Sequence, residues 1–548
     1  MMDKIDGIIF RDMILTGADN LRQHADYVDS LNVFPVPDGD TGTNMNLSMT
    51  SGADEVSGRE IEHMGEMGRH FSKGLLMGAR GNSGVILSQL FRGFSKAIEN
   101  EGSVDAKSFA AALDQGVKTA YKAVMKPVEG TILTVAKDSS ATAVEKAETS
   151  DSLIEVMEAV IEEAKASLKR TPDLLPVLKE VGVVDSGGQG LVYVYEGFLA
   201  AMKGEKVEVS EEALDTETFV NDEHDFNEFM SVEDIQYGFC TEFMVRFEDD
   251  KRAFDEEEFR NEMEAFGDSL LVISDDEIVK VHVHTETPGE AMTYGANYGE
   301  LIKMKIENMR EQFREVHGSK ADTAVKEKQS YETAVITVSS GDGIKALFES
   351  VGVTHVINGG QTMNPSTEDI LNTVKDDDVK QVIILPNNKN IIMAAEQAQQ
   401  MLEVPAVVIP TVSIPEGLSS MLMFSPDGTL EQNEEAMKSA LEHVKTGQVT
   451  YAVRDTKIDG IEIKKDQHMG INNGKIDVAS DSRSETLENL IVSMLDEDAE
   501  IVTVIIGDEG SEEEVDAIVE KLEDSYNDIE FEIHNGQQPV YSYLVSVE

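Results

Sequence analysis

Only one cysteine, Cys240, occurs in 548 residues, so no internal disulfide framework can form and the chain suits a reducing compartment. Basic residues are scarce: 46 Lys and Arg stand against 105 Asp and Glu, for a formal net charge of −59. That balance excludes nucleic acid as a partner, since a phosphate backbone is held by Lys and Arg surfaces. The acidity either serves solubility alone or favours basic protein partners. No apolar run approaches the roughly 20 residues needed to span a bilayer, and Met1-Met-Asp-Lys-Ile lacks the basic-then-apolar order of a signal peptide. A cytoplasmic protein with no transmembrane segment is the expectation. Also missing is the P-loop: no glycine-rich stretch ends in Gly-Lys-Ser/Thr, so any nucleotide site is of another design.

Hydrophobic residues make up 41% of the chain, enough for globular packing, and the length is too great for one core. The most informative segment is Asn32-Val-Phe-Pro-Val-Pro-Asp-Gly-Asp-Thr-Gly-Thr-Asn-Met45. Its two carboxylates, Asp38 and Asp40, put anionic oxygens on a tight turn, which suits Mg²⁺ shared with nucleotide phosphates. Gly39 and Gly42 permit the bend, and a helix beginning near Thr43 offers N–H groups to phosphate. The bland alternative is a Pro-Asp-Gly surface turn. Two more glycine-rich segments, Gly78-Ala-Arg-Gly-Asn-Ser-Gly84 and Val183-Val-Asp-Ser-Gly-Gly-Gln-Gly190, lie at helix junctions, the second headed by Asp185. Three such loops in one region are hard to read as punctuation.

In order and spacing, Asp38-Gly-Asp40-Thr-Gly-Thr-Asn44, Gly81-Asn-Ser-Gly84 and Asp185-Ser-Gly-Gly188 resemble the ATP-binding domain of the dihydroxyacetone kinases. The version that opens the catalytic chain of the bacterial fatty acid kinases is the nearest likeness. The resemblance implies an all-α helical barrel with ATP and Mg²⁺ at one end. It carries Mg²⁺ ligation to Asp38 and Asp40, with Asn32 standing where the sugar kinases have a third Asp. It implies phosphate or nucleotide contacts from Thr43, Asn44, Gly81, Asn82, Ser83, Gly84, Asp185, Ser186 and Gly187. Arg80 is the nearest cation able to offset charge on the transferring group, or it is a surface residue at a helix end.

Periodicity reads the first region as helical independently. Phe10, Ile14, Ala18, Leu21, Ala25 and Val28 step by three or four along one stripe, and further stripes follow to Leu168. No alternating strand is expected before about residue 235. The reading is an ATP domain over 1–202, an acidic linker over 203–233, an α+β middle domain over 234–316, a polar linker over 317–330 and an α/β region over 331–548.

In the middle domain Phe239-Cys-Thr-Glu-Phe-Met-Val-Arg-Phe247 and Val279-Lys-Val-His-Val-His284 alternate as strands. His282 and His284 then share a face with Cα atoms about 7 Å apart, and with Cys240 they form a candidate Zn²⁺ set. The alternative is the polar face of a plain hairpin. Water, His224 or Glu286 is left as the fourth ligand. The last region resembles the DegV-like fatty-acid-binding proteins through Asn358-Gly-Gly-Gln-Thr-Met-Asn-Pro-Ser-Thr-Glu368 and His534-Asn-Gly-Gln-Gln-Pro539, both incomplete copies of that family's motifs. An incomplete copy points to docking or dimerisation. Ser340-Gly-Asp-Gly343 reads as an ordinary βα turn. The combined resemblance implies a kinase acting on the carboxylate of a fatty acid presented by a DegV-like carrier protein, working as a homodimer. A kinase for a small hydroxylated metabolite and a non-catalytic lipid-binding scaffold are the rivals.

Overall fold

The structure, a computed structural model, describes residues 2–32, 39–124, 126–205, 237–248, 251–263, 265–274, 278–310, 330–360, 363–452, 456–458, 461–497 and 499–548. The chain divides into two compact units, one formed by Met1–Thr218 with Lys328–Glu548 and the other by Phe219–Glu327. The acidic linker expected over 203–233 and the polar linker over 317–330 fall largely outside the described residues. Among the described residues no helix is long and apolar enough to cross a membrane.

The amino-terminal part is helical, as its periodicity requires. Asp6 opens the Gly7–Gln23 helix by accepting from the Ile9 N–H at 3.0 Å. The stripe from Phe10 to Val28 is buried as expected, yet it belongs to two helices, because the backbone leaves helical geometry at His24 before Ala25–Leu31 begins. Periodicity runs through such a break, since both helices present apolar residues to the same core. Phe10, Phe71, Phe91, Phe94 and Phe109 interlock edge-on or tilted at 5.0–6.3 Å between ring centres, a dense centre for the bundle. The expectation of no strand here needs one correction: Ile5–Asp6 pairs with Ser103–Val104. A two-residue pairing leaves no alternation to detect.

After residue 330 the same unit continues with a four-stranded, all-parallel sheet. Ser330–Ser339 lies inside, with His355–Asn358 on one side and Asp378–Leu385, then Ala406–Val408, on the other. A six-stranded sheet follows, in which Ile501–Ile506 and Glu530–Asn535 are parallel and the other pairings are antiparallel. Helices Arg483–Met494 and Glu512–Glu523 cover its apolar face.

The first sheet's layer packs on the helical part. Ala79 and Val85 share a core with Ile370, Val382, Ala394 and Ala395. Gln397 donates to the Leu76 carbonyl at 2.6 Å and Thr367 N–H to the Ala79 carbonyl at 3.3 Å. These bonds pin the stretch around Asn364 over one end of the helices.

The second unit is α+β, an antiparallel sheet in the order Gly267–Ser274, Ile278–Thr285, Phe239–Phe247, Gly299–Asn308. Phe254, Phe259, Tyr294 and Tyr298 close its core.

Candidate functional site

Glycine packing assembles the site. A Cβ on Gly81 would lie 2.6 Å from the Asn44 amide nitrogen, and one on Gly84 would lie 2.2 Å from the Ser48 hydroxyl. Gly190 meets Met45 as closely, and Gly187 touches Ile132. Hydrogen in place of a side chain therefore brings together the starts of four helices: Thr41–Val56, Gly81–Ala97, Ile132–Ala147 and Ser186–Lys203. Helix starts carry unpaired N–H groups and positive dipole ends, so their convergence favours phosphate. Arg80 and Thr131, which precede two of them, give no side-chain cap to their helices.

Asp40 stands among these starts and is only 7% exposed, not on an open turn. Burial pushes its pKa above the ordinary carboxylate value, opposed by the amides of Asn44 and Asn364 and the charge of Lys389. Asn364 donates to Asp40 Oδ2 at 2.5 Å. Arg80 Nη1 donates to the Asn364 carbonyl at 3.1 Å, and its guanidinium lies 3.6 Å from Asp369. Arg80, expected to serve the transferring group, is thus turned toward the carboxy-terminal region. Asn82 donates to Asn390 at 3.1 Å, a second tie across the same boundary.

Asp38 lies outside the described residues. Asn32 stands at the end of the Ala25–Leu31 helix, its N–H bonded to the Asp29 carbonyl. Asp29, which the sequence did not single out, accepts from Gly42 N–H at 2.5 Å, Thr43 N–H at 3.1 Å and Thr43 Oγ1 at 2.7 Å. Burial raises its pKa to about 6 against those donors, with the charge of Asp40 adding to the rise. Thr43 is therefore occupied by Asp29. Ser83 and Ser186 sit in the first turns of their helices.

Asp185 caps its own helix, accepting from Gly188 N–H at 2.7 Å, and also accepts from Ile132 N–H. Burial raises its pKa to about 6. Its oxygens thus join two helix starts, which is a positioning role. The third start, Gly130-Thr131-Ile132, was missed although a glycine and a hydroxyl ahead of an apolar run are a recognisable helix-start signal. Asn364 lies in the Asn358–Glu368 segment read above as a docking motif, but its pairing with Asp40, like that of Asn390 with Asn82, carried no signal, because each joins residues more than 300 positions apart.

In the middle unit, Cys240 is the Cα partner of His284, and Glu242 that of His282. Cys240 and His284 are buried. The His282 side chain lies outside the described residues, and among the described ones no group of three His, Cys, Asp or Glu is close enough to hold a metal. His224 is likewise undescribed, while Glu286 is engaged by Arg310 at 2.5 Å and by Gly238 N–H at 2.7 Å. Glu286 is accordingly committed elsewhere.

Comparison with known proteins covers most of the chain in three parts. The DAK2 domain family matches residues 35–200, the FakA-like middle-domain family of the fatty acid kinases matches 236–316, and the FakA-like C-terminal family matches 334–548. An uncharacterised protein of Staphylococcus haemolyticus is 58% identical over 555 residues, covering 100% of each chain. One of Staphylococcus aureus strain USA300 is 58% identical over 548 residues, again with 100% of each covered. Among solved structures, dihydroxyacetone kinase from C. freundii with AMP-PNP and Mg²⁺ aligns to 35% of this chain and 33% of its own, at 16% identity and TM-score 0.28. A Thermotoga maritima protein reported to have a fatty acid binding function aligns to 40% of this chain and 99% of its own, at 14% identity and TM-score 0.32. Scores this low transfer neither site nor activity.

Proposed function

Because the chain belongs to the FakA-like family of fatty acid kinases, with a DAK2 kinase domain at its amino-terminal end, we propose that this phosphotransferase uses ATP and Mg²⁺ to phosphorylate the carboxylate of a fatty acid. The fatty acid is presented by a separate lipid-binding protein of DegV-like type, and the product is an acyl phosphate for phospholipid synthesis. The observation that carries the reading is the convergence of four helix starts on one buried carboxylate, Asp40.

The donors fit the groups they would hold. Asp40, with Asp38 and Asn32, supplies the hard oxygens that suit Mg²⁺, while N–H groups and side chains of Asn44, Gly81, Asn82, Ser83, Gly84, Ser186 and Gly187 suit phosphate oxygens. Bound Mg²⁺ neutralises phosphate charge and orients the transferred group. The chain's own part is positioning. Asp29 fixes the start of the Thr41–Val56 helix, and Asp185 locks two other starts together. Arg80 offsets charge on the transferring group after releasing the Asn364 carbonyl and Asp369, the latter a half-exposed contact worth about 0–1 kcal/mol. A carboxylate acceptor is ionised at neutral pH, so no general base is needed.

The middle unit is assigned a zinc ion on Cys240, His282 and His284. Its support is the strand register, which sets Cys240 opposite His284 and leaves His282 two residues away on the same strand. The assembly is assigned as a cytoplasmic homodimer, checked by light scattering on the purified chain. The test of function supplies the chain with ATP, Mg²⁺ and either carrier-bound oleate or dihydroxyacetone. Acyl phosphate formed only with the first is the expected result; phosphorylation of dihydroxyacetone at a comparable rate overturns the acceptor assignment.

A further inference from the structure

The four-stranded parallel sheet reverses its winding at the strand that opens it. From Ser330–Ser339 the chain crosses to His355–Asn358 on one side, then returns to Asp378–Leu385 on the other. Connections that leave in opposite directions open a crevice beyond the carboxyl ends of the two strands, where open α/β sheets take their ligands. A cavity of about 140 Å³ lies at this place. It is bordered by Ser339 at the end of one strand, by Asn388 just past the other, and by Gln538 from the turn after Glu530–Asn535.

Three polar atoms of these residues are buried without a hydrogen-bond partner: Ser339 Oγ, Asn388 Nδ2 and Gln538 Oε1. The residues are 3%, 4% and 4% exposed. An unpaired buried polar group is costly, so three around one cavity mark a place where something else completes the bonding. Ile344, Ile414 and Leu544 give the space an apolar side, Ser340, Asn358 and Gln448 add uncharged polar groups, and among the described residues no Asp, Glu, Lys, Arg or His lines it. Two donors and an acceptor without an ionised side chain suit a head group that both accepts and donates while staying uncharged. The volume resembles the ~150 Å³ cavity that holds benzene, which limits the ligand to about six to eight non-hydrogen atoms.

We propose that this cavity is a binding site for a small uncharged amphiphile, an aliphatic amide or alcohol whose polar head meets Ser339, Asn388 and Gln538 and whose short tail packs on Ile344, Ile414 and Leu544. The proposal is independent of the acceptor assigned above. Ordered water alone is the competing occupant, because the three unpaired atoms match the two to four partners a buried water takes, and the titration below separates the two.

The test uses the full chain, without nucleotide, titrated by calorimetry or ligand-observed NMR with hexanamide, hexanoate and hexylammonium. Hexanamide is expected to bind saturably, with a Kd on the order of 1 mM given its size. The two charged analogues should bind at least about tenfold more weakly, having no counter-charge in the cavity. Ser339→Ala should weaken hexanamide by about fivefold, the value of one hydrogen bond. Asn388→Asp keeps the oxygen that accepts from Asn390 N–H and brings a negative charge, so hexylammonium should overtake hexanamide in that variant. Absence of saturable hexanamide binding means water alone and overturns the proposal. Equal binding of all three probes, or an unchanged order of preference in Asn388→Asp with its thermal midpoint intact, also overturns it. Phosphoryl transfer is not the readout, so failure here leaves the kinase assignment standing, and the reverse holds too.

Discussion

Asp40 and Asn364, 324 positions apart, should be energetically coupled, and a double-mutant cycle can measure by how much. The amide donates to a carboxylate that is almost fully buried, and its own Oδ1 has no partner, so Asp40 is the strong contact that holds this side chain. A hydrogen bond to a charged group contributes about 1.5–3 kcal/mol. Asp40→Ala strands the amide, and Asn364→Ala strands a buried carboxylate already disfavoured in its ionised form, so each single change should cost about 1–3 kcal/mol. The double change removes both groups together, and its cost should fall short of the sum by about 1.5–3 kcal/mol. The assay is urea unfolding by far-UV circular dichroism, since the chain has no tryptophan to report by fluorescence. Midpoint shifts are converted at a common denaturant slope. A coupling below about 0.5 kcal/mol, within ordinary additivity error, refutes the contact.

Asp40→Asn, nearly isosteric, should lower phosphoryl transfer by about 100-fold or more while shifting stability by only ~1 kcal/mol, as steady-state turnover and thermal scans would show; turnover within tenfold of the parent refutes a metal role. Asp185, with a folded pKa near 6 against an ordinary value near 3.9, binds more protons folded than unfolded, so its contribution falls as pH rises from about 4 to 6. Asp185→Asn, which keeps a capping oxygen, should therefore gain about 1–3 kcal/mol over the parent between pH 4.5 and 7 in metal-free unfolding; a constant difference refutes the raised pKa. Freshly purified protein should carry about one zinc per chain by elemental analysis, lost in Cys240→Ala and in His282→Ala/His284→Ala; metal-free parent protein leaves the hairpin a plain one.

Much of the molecule was legible in the chain. The stripe of Phe10, Ile14, Ala18 and Leu21 specifies a helix because a period of 3.6 is a local property, and the alternation of Phe239–Phe247 specifies a strand for the same reason. The three glycine loops were visible because a helix start needs small residues and hydroxyls next to one another in sequence. The break at His24 was not, since hydrophobic spacing records which residues are buried and not where the axis turns. Asp29 escaped notice because its partners, Gly42 and Thr43, lie 13 and 14 positions further on and no local pattern couples them.

Sequence alone determined the acidic composition, the kind of elements and the glycine-rich helix starts, the last two of which follow from neighbours within a few residues. Only the tertiary structure decided that Asp40 is buried beneath Asn364, that Arg80 faces Asp369, and that Ser339, Asn388 and Gln538 surround one cavity. The physical reason is that burial and hydrogen-bond pairing depend on which surfaces meet. Those meetings are set by chain crossings of hundreds of residues, and no periodicity encodes them.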